Sequence, residues 1–212
     1  MADSLFRKLT HQSLAALTID GEILDVGGDT RSTYRGLIQG RHKFTTLNIN
    51  SAAHPDINWD IEQSPWPVAE RHFDAVLLIN VLEHIFNYSS VLQESFRVTK
   101  PGGQMVIVVP FIYYFHPSPH DYFRYSEEAL ERLLKEIGYV NLKLERLGRG
   151  AVSTAYTLIH RFFPSPIHQL MEALALGLDW CLRRLATTCG KKYTGQEYPL
   201  GYLIIAQCPS KN

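Results

Sequence analysis

The sequence predicts an α/β protein: a doubly wound, mostly parallel sheet of seven strands with helices on both faces. Three observations carry this reading. Ile23-Leu24-Asp25-Val26-Gly27-Gly28 is an apolar run that stops abruptly at two glycines, as a buried parallel strand does where it enters a ligand-binding turn. Residues 75–79 and 105–109 are unbroken apolar runs, which strands covered on both faces require. Helical patterns stand between the runs, and strand–helix alternation implies right-handed crossovers.

The elements follow in order. Residues 3–17 read as a short helix with Leu5, Leu9, Leu14 and Leu17 on its apolar side. Residues 22–26 form the first strand, and 30–38 the helix behind the glycine loop, ended by Gly40. Residues 44–49 give the second strand, 57–61 a short third and 75–79 the fourth. Ser89 or Ser90 can cap a helix running to Thr99, and Pro101-Gly102-Gly103 breaks it. Residues 105–109 form the fifth strand. Ser126 caps the next helix, whose stripe is Leu130, Leu133, Leu134 and Ile137, with Gly138 at the left-handed capping position. Residues 140–144 and 202–206 complete the sheet.

The alternation breaks over 149–197, so the chain divides into a core of 1–148, a helical insertion over 149–197 and a returning strand within 198–208. Pro164 and Pro166 punctuate the insertion. Ile167, Leu170, Met171, Leu174, Leu178, Cys181, Leu182 and Leu185 form a stripe at helical spacing, widened by Leu176 and Trp180. The stripe is expected to pack on the sheet. A homodimer contact or a peripheral membrane contact through 165–187, aided by Arg183 and Arg184, competes with that. Glu172 and Asp179 argue against a bilayer span.

Composition narrows the function classes. The formal net charge is +0, so nothing argues for a nucleic-acid partner. Cys181, Cys189 and Cys208 show no metal-ligand spacing and read as reduced thiols. No signal-peptide core and no run of about 18 apolar residues is present. A cytoplasmic protein is expected.

Leu24-Asp25-Val26-Gly27-Gly28, Phe73-Asp74-Ala75-Val76, Val81-Leu82-Glu83-His84 and Arg97-Val98-Thr99-Lys100-Pro101-Gly102-Gly103, in this order and spacing, resemble the class I S-adenosylmethionine-dependent methyltransferases. The likeness covers about residues 20–145 and is nearest to the ubiquinone/menaquinone-type and glycan-cluster branch. It implies a Rossmann-like fold with S-adenosyl-L-methionine as cofactor. Ligands in such sheets sit beyond the carboxyl ends of the strands, where residues 25–29, Asn48, Asp60, 80–84 and the stretch from Pro110 onward should meet.

By resemblance, Asp25, Gly27, Gly28 and Asp29 line the methionine and ribose of the cofactor. Tyr34 packs near the methionine end or serves as a core aromatic. Asp60 accepts from the adenine amino group, Ile61 offers a backbone N–H, and Trp59 is a lid or core. Asn80, Val81 and Leu82 stand near the sulfonium. Asn48 departs from the family, which usually places a carboxylate there for both ribose hydroxyls. An amide offers one acceptor oxygen, so weaker cofactor binding is expected, and an aspartate should tighten it. The third family glycine is also absent, since Asp29 and Thr30 fill that stretch.

The long loop over 111–125 supplies the acceptor-side candidates. His120 is the general base, oriented by Asp121, with His84 as a second candidate. His116, Arg124 and Tyr125 are expected to bind the acceptor, Arg124 by clamping a carboxylate or phosphate. Asp121 and Arg124 pairing with each other to anchor the loop is the competing reading. No third ligand stands beside His116 and His120 in sequence, so no metal is expected.

These residues point to methyl transfer onto a hydroxyl or carboxylate of a glycan, a lipid-linked intermediate or a small metabolite. A non-catalytic relative that uses the insertion as an interaction surface is one rival. A nicotinamide-dependent enzyme is another, disfavoured because Gly27-Gly28-Asp29-Thr30-Arg31 lacks the G-x-G-x-x-G spacing.

Overall fold

The computed structural model describes residues 4–29 and 32–210. Seven strands form one sheet in the order β3-β2-β1-β4-β5-β7-β6. They are β1 (Gly21–Val26), β2 (His42–Asn48), β3 (Ile57–Asn58), β4 (Phe73–Ile79), β5 (Thr99–Pro110), β6 (Val140–Leu147) and β7 (Gly201–Gln207). Strands β1 to β5 run parallel, and β7 pairs antiparallel with both β5 and β6. The expected architecture is present. Successive side chains on the central strands alternate between two apolar cores. Leu24, Val26, Val76, Leu78, Met105 and Ile107 face one, while Ile23, Ala75, Leu77, Val106 and Val108 face the other, as a pleat of period two requires.

Two helices, α2 (Tyr88–Val98) and α3 (Glu127–Ile137), cover the first core through Val91, Leu92, Leu130 and Leu134. Ser126 caps α3 by accepting from the Ala129 N–H, and Gly138 closes it with φ 114°. The start of α2 differs from expectation: its N-cap residue is Asn87, and Ser89 and Ser90 lie inside the helix. The second core is covered by the N-terminal helix α1 (Leu5–Ala15), which buries Leu5, Phe6, Leu9 and Leu14.

The helix expected over 30–38 is not formed. Thr30 and Arg31 lie outside the described residues, and Thr33–Leu37 is a five-residue 3-10 turn. The next residues are pulled back to the chain ahead of β1, with the Gln39 N–H donating to the Leu17 carbonyl and the Ile19 N–H to the Gln39 carbonyl. That return leaves too little chain for an α-helix, and α1 takes over the cover. Strand β3 is also shorter than the expected 57–61, because residues 60–61 turn away from the sheet edge.

The insertion folds as two helices, α4 (Ala151–Ile159) and α5 (Ser165–Thr188), packed on each other. The expected stripe does not face the sheet. Leu170, Leu174, Leu178 and Leu185 are 61%, 53%, 55% and 61% exposed. The buried side of α5 is carried instead by Ala175 and a fully buried Asp179, with only Leu176 of the expected residues packed against the second core. Asp179 accepts from the backbone N–H groups of Val152 and Ser153 at 2.9 and 2.8 Å, supplying partners for the otherwise unpaired start of α4. Glu172 meets Lys8 of α1 at 2.6 Å. Two carboxylates therefore choose the inward face of α5.

Candidate active site

The chain leaves β3 and re-enters the sheet at β4, on the other side of β1. Adjacent strand ends separate at such a switch point, and a crevice opens there. A cavity of about 510 Å³ lies at this place, within the range of small-molecule sites. Gly27, Asp29, Ser32, Tyr34, Ile79 and Asn80 line its strand-end side. Phe6, Thr10 and His11 of α1 form another wall, and His84, Tyr113, Tyr114 and His116 a third.

The glycine turn owes its shape to neighbours within the chain. Gly27 has φ +74°, and a Cβ there would stand 2.5 Å from Val81 Cγ2. A Cβ on Gly28 would meet the Asp25 carboxylate at 2.1 Å. Asp25 itself is fully buried. It accepts from the Tyr34 hydroxyl and the Arg35 Nε, each at 2.7 Å, and Arg35 also donates to the Asp29 carbonyl. Burial pushes the Asp25 carboxyl up, while Tyr34 and Arg35 oppose that shift. Burial, with Asp25 beside it, raises Tyr34. Asp25 thus braces the loop from beneath and does not line the cavity as expected. Tyr34 does both.

Asn48 is the second brace. Its Nδ2 donates to the Gly27 and Gly28 carbonyls at 2.9 and 3.1 Å, and its Oδ1 accepts from the Asn50 N–H at 2.9 Å. Both ends of the amide are engaged within the chain, so Asn48 fastens the end of β2 to the loop, and the expected ribose contact is left with the one remaining lone pair of Oδ1. Asp60 is likewise closed on its own turn, accepting from the Glu62 N–H at 3.0 Å. Ile61 and Leu82 are buried in the core, and Trp59 packs against it. Val81 supports Gly27 from below. Asp29 and Asn80 reach the cavity, Asn80 with φ 55°.

On the acceptor side the loop rearranges the expected roles. His120 is exposed, its ring against Tyr122, and its carbonyl rather than its imidazole is used, by His84 Nδ1 at 2.5 Å. Asp121 and Arg124 hold each other in a bidentate pair at 2.5 and 2.7 Å. The Arg124 side chain, by hydrogen bonding, keeps the Asp121 carboxyl far below the usual range. Asp121 also accepts from the His116 N–H at 2.9 Å. Asp121 and Arg124 therefore anchor the loop, and Asp121 orients His116, not His120. Tyr125 is buried, with its hydroxyl 3.3 Å from the Leu82 carbonyl, and is removed from the acceptor candidates.

His116 does reach the cavity, with His84 beside it at 5.1 Å between ring centroids. Behind both lies Glu83, fully buried, whose two carboxylate oxygens have no hydrogen-bond partner among the described residues. Its Oε1 is 3.7 Å from His84 Nε2 and 3.8 Å from His116 Nε2. The Glu83 carboxylate raises the His116 imidazole above its usual value against the effect of burial. Sequence reasoning passed over Glu83, although it stands inside a segment that carries the family likeness. It also passed over Thr10, Tyr113 and Tyr114, which are cavity walls with no motif to mark them.

A methyltransferase-domain family profile matches residues 2–144. Demethylmenaquinone methyltransferase of Tropheryma whipplei is 23% identical over 205 residues, covering 78% of this chain and 83% of the relative. Ubiquinone/menaquinone biosynthesis C-methyltransferase UbiE of Desulfotalea psychrophila is 33% identical over 89 residues, covering 37% and 33%. Among solved structures, phosphoethanolamine N-methyltransferase 2 of Haemonchus contortus with S-adenosyl-L-methionine superposes with a TM-score of 0.58 at 12% identity. It covers 97% of this chain, which spans only 52% of that protein. Fold and cavity define a Rossmann-like α/β protein with a crevice at its switch point. The chain belongs to the methyltransferase-domain family, as a class I S-adenosylmethionine-dependent methyltransferase. Family membership replaces the nicotinamide-dependent reading.

Proposed function

We propose that the cavity between Gly27 and Asn80 holds S-adenosylmethionine and that its methyl group passes to an oxygen, a hydroxyl or carboxylate, of a glycan, lipid-linked intermediate or small metabolite. The observation that carries this reading is the convergence of two sides on one space. Gly27, Asp29, Tyr34 and Asn80 stand on the strand-end side, with His84 and His116 opposite. The buried Thr10 hydroxyl, unpartnered among the described residues, supports a polar occupant.

When bound, the cofactor supplies an activated methyl on a sulfonium. The chain aligns the acceptor in line with it, excludes water and removes one proton. His116 suits the proton removal, because its Nδ1 is 3.1 Å from the Tyr114 carbonyl, which leaves Nε2 as the accepting atom. Isothermal titration with S-adenosylhomocysteine, then labelled-methyl transfer into cell fractions, tests the reading. Absence of binding at millimolar ligand favours the non-catalytic alternative.

A carbon acceptor is the second reading, supported by the relatives named for quinone methylation. Hydriodic acid treatment of the labelled product separates the two, since methyl esters and methyl ethers release the label as iodomethane and carbon-linked methyl groups keep it.

The outer face of the insertion favours a lipid-linked acceptor. Its apolar stripe is exposed, Arg184, Lys191 and Lys192 are exposed, and both acids of α5 point inward. An apolar helix face with Arg184, followed by Lys191 and Lys192 just past the helix end, suits an anionic bilayer surface, and no described helix is long and apolar enough to cross one. The reading is a cytoplasmic enzyme touching the membrane through α5. Co-sedimentation with phosphatidylglycerol vesicles should be lost in Leu174→Glu/Leu178→Glu. A dimer in light scattering that the same variant dissolves would instead assign the face to a second copy.

A further inference from the structure

We propose that Glu83, His84 and His116 form a site for one divalent first-row transition-metal ion at the wall of the cavity. The neighbouring residues Glu83 and His84 and the distant His116 offer ligand atoms that all lie within 4.8 Å of one another. This donor set suits zinc, manganese, iron(II) or cobalt(II).

Three features separate the cluster from a chance meeting of polar groups. Glu83 is 0% exposed, yet neither carboxylate oxygen has a hydrogen-bond partner among the described residues. A buried carboxylate without partners is costly, and its Oε1 points at both imidazoles. The two histidines are also oriented by their far nitrogens. His84 Nδ1 meets the His120 carbonyl at 2.5 Å. His116 Nδ1 meets the Tyr114 carbonyl at 3.1 Å and Asp121 Oδ2 at 3.3 Å. Donation of Nδ1–H to these nearer oxygens puts the lone pair on Nε2, as in ligating histidines, and outweighs the longer 3.5 Å approach of Arg124 Nη2 to His116 Nδ1. Finally, the Nε2 to Oε1 separations of 3.7 and 3.8 Å exceed hydrogen-bond length. They leave room for an ion at about 2.1 Å from each donor after a contraction of a few tenths of an ångström.

The protein supplies three ligands, and His84 and His116 line the cavity. The remaining coordination positions therefore face the place where an acceptor oxygen would sit, and oxygen donors are the class of ligand they would take. The cluster itself does not depend on cofactor binding, but an ion on His116 Nε2 would take the lone pair that proton removal needs, so the two roles of that imidazole exclude each other. Without a metal, Glu83 faces only the two imidazoles and the more distant charge of Arg124, and that arrangement is the competing outcome.

Cobalt(II) titration of the tag-free chain after chelator treatment tests the site. The visible d–d absorption should saturate at one ion per chain, and bound cobalt(II) should raise the melting temperature. Glu83→Gln and His116→Ala should each weaken binding at least tenfold and abolish the melting shift, with circular dichroism unchanged. His116→Ala lies on a loop, so it keeps the test open should the buried Glu83 variant fail to fold. Absence of saturable one-to-one binding, or unchanged affinity in His116→Ala, overturns the proposal. Neither outcome depends on cofactor binding or turnover.

Discussion

The Asn48 side chain donates to the carbonyls of Gly27 and Gly28 at once, at 2.9 and 3.1 Å, so the second strand holds the glycine loop by its backbone. A carboxylate at this position would point its charge at two carbonyl oxygens. Asn48→Asp is therefore expected to destabilise the fold by about 2 kcal/mol, from two lost hydrogen bonds and the repulsion that replaces them. It should also weaken S-adenosylhomocysteine binding. Urea unfolding and calorimetry measure both, and tighter binding in the variant would return Asn48 to the ribose.

Asp25 is expected to matter for stability more than for ligand contact. It is fully buried and receives Tyr34 and Arg35. Asp25→Ala leaves the guanidinium without its partner and opens the base of the loop, at a cost of about 3 kcal/mol. Tyr34→Phe removes one hydrogen bond and should cost about 1 kcal/mol. A melting series of the two variants checks the order, and equal losses would contradict it.

Much of this architecture was legible because it rests on burial. The runs at 75–79 and 105–109 have no side that tolerates water, and they became central strands. Ser126 and Gly138 mark α3 because side-chain capping and left-handed backbone are local properties. The helix expected over 30–38 failed because its length is set by the link between Leu17 and Gln39, a distant backbone contact. In α5 the sequence showed which residues are apolar but not which face meets protein, since Asp179 turns inward to serve the start of α4. His120 and Asp121 were given each other for a similar reason: adjacency in sequence stood in for adjacency in space. The orienting contact runs from Asp121 back to His116, and Glu83 arrives from a different strand end.

The exchange of roles within the loop has a direct test in turnover. His120→Ala removes an exposed ring and leaves the carbonyl that His84 uses, so labelled-methyl transfer should stay within about twofold of wild type. His116→Ala removes the imidazole that faces the cavity and should lower turnover by about 10²-fold. Cofactor affinity should change little in either. The reverse ranking would restore His120 as the base.

Acid should loosen the segment that leads into β4. Glu94 accepts from Arg97 at 2.8 and 2.6 Å and from the Trp66 N–H at 2.6 Å. Burial disfavours its ionised form, but Arg97 and the Trp66 N–H outweigh this and hold the carboxyl below its reference value of 4.5. Because the folded value is depressed, the unfolded chain takes up the proton first as pH falls. The contribution is present above about pH 4.5 and disappears as pH drops through the folded value. Urea midpoints at pH 6 and pH 3.5 should differ more for wild type than for Glu94→Gln. Equal slopes would show that other carboxylates govern the acid limb.

Gly27 and Gly36 give a matched pair for the last prediction. Gly27 has φ +74° and Val81 Cγ2 2.5 Å from where a Cβ would stand, whereas a Cβ on Gly36 would meet nothing within 4 Å. Gly27→Ala must place an L-residue in left-handed backbone and push Val81 aside, at a cost of about 2 kcal/mol or more. In a chain of this length that lowers the melting temperature by roughly 4–8 °C. Gly36→Ala carries neither penalty and restricts the unfolded chain, so it should be neutral or slightly stabilising. Because Val81 is the next residue after Asn80, its displacement moves the strand end that closes the cavity. The loss in Gly27→Ala should therefore extend to S-adenosylhomocysteine affinity. A variant that melts early but binds normally would separate the strain at Gly27 from the shape of the site.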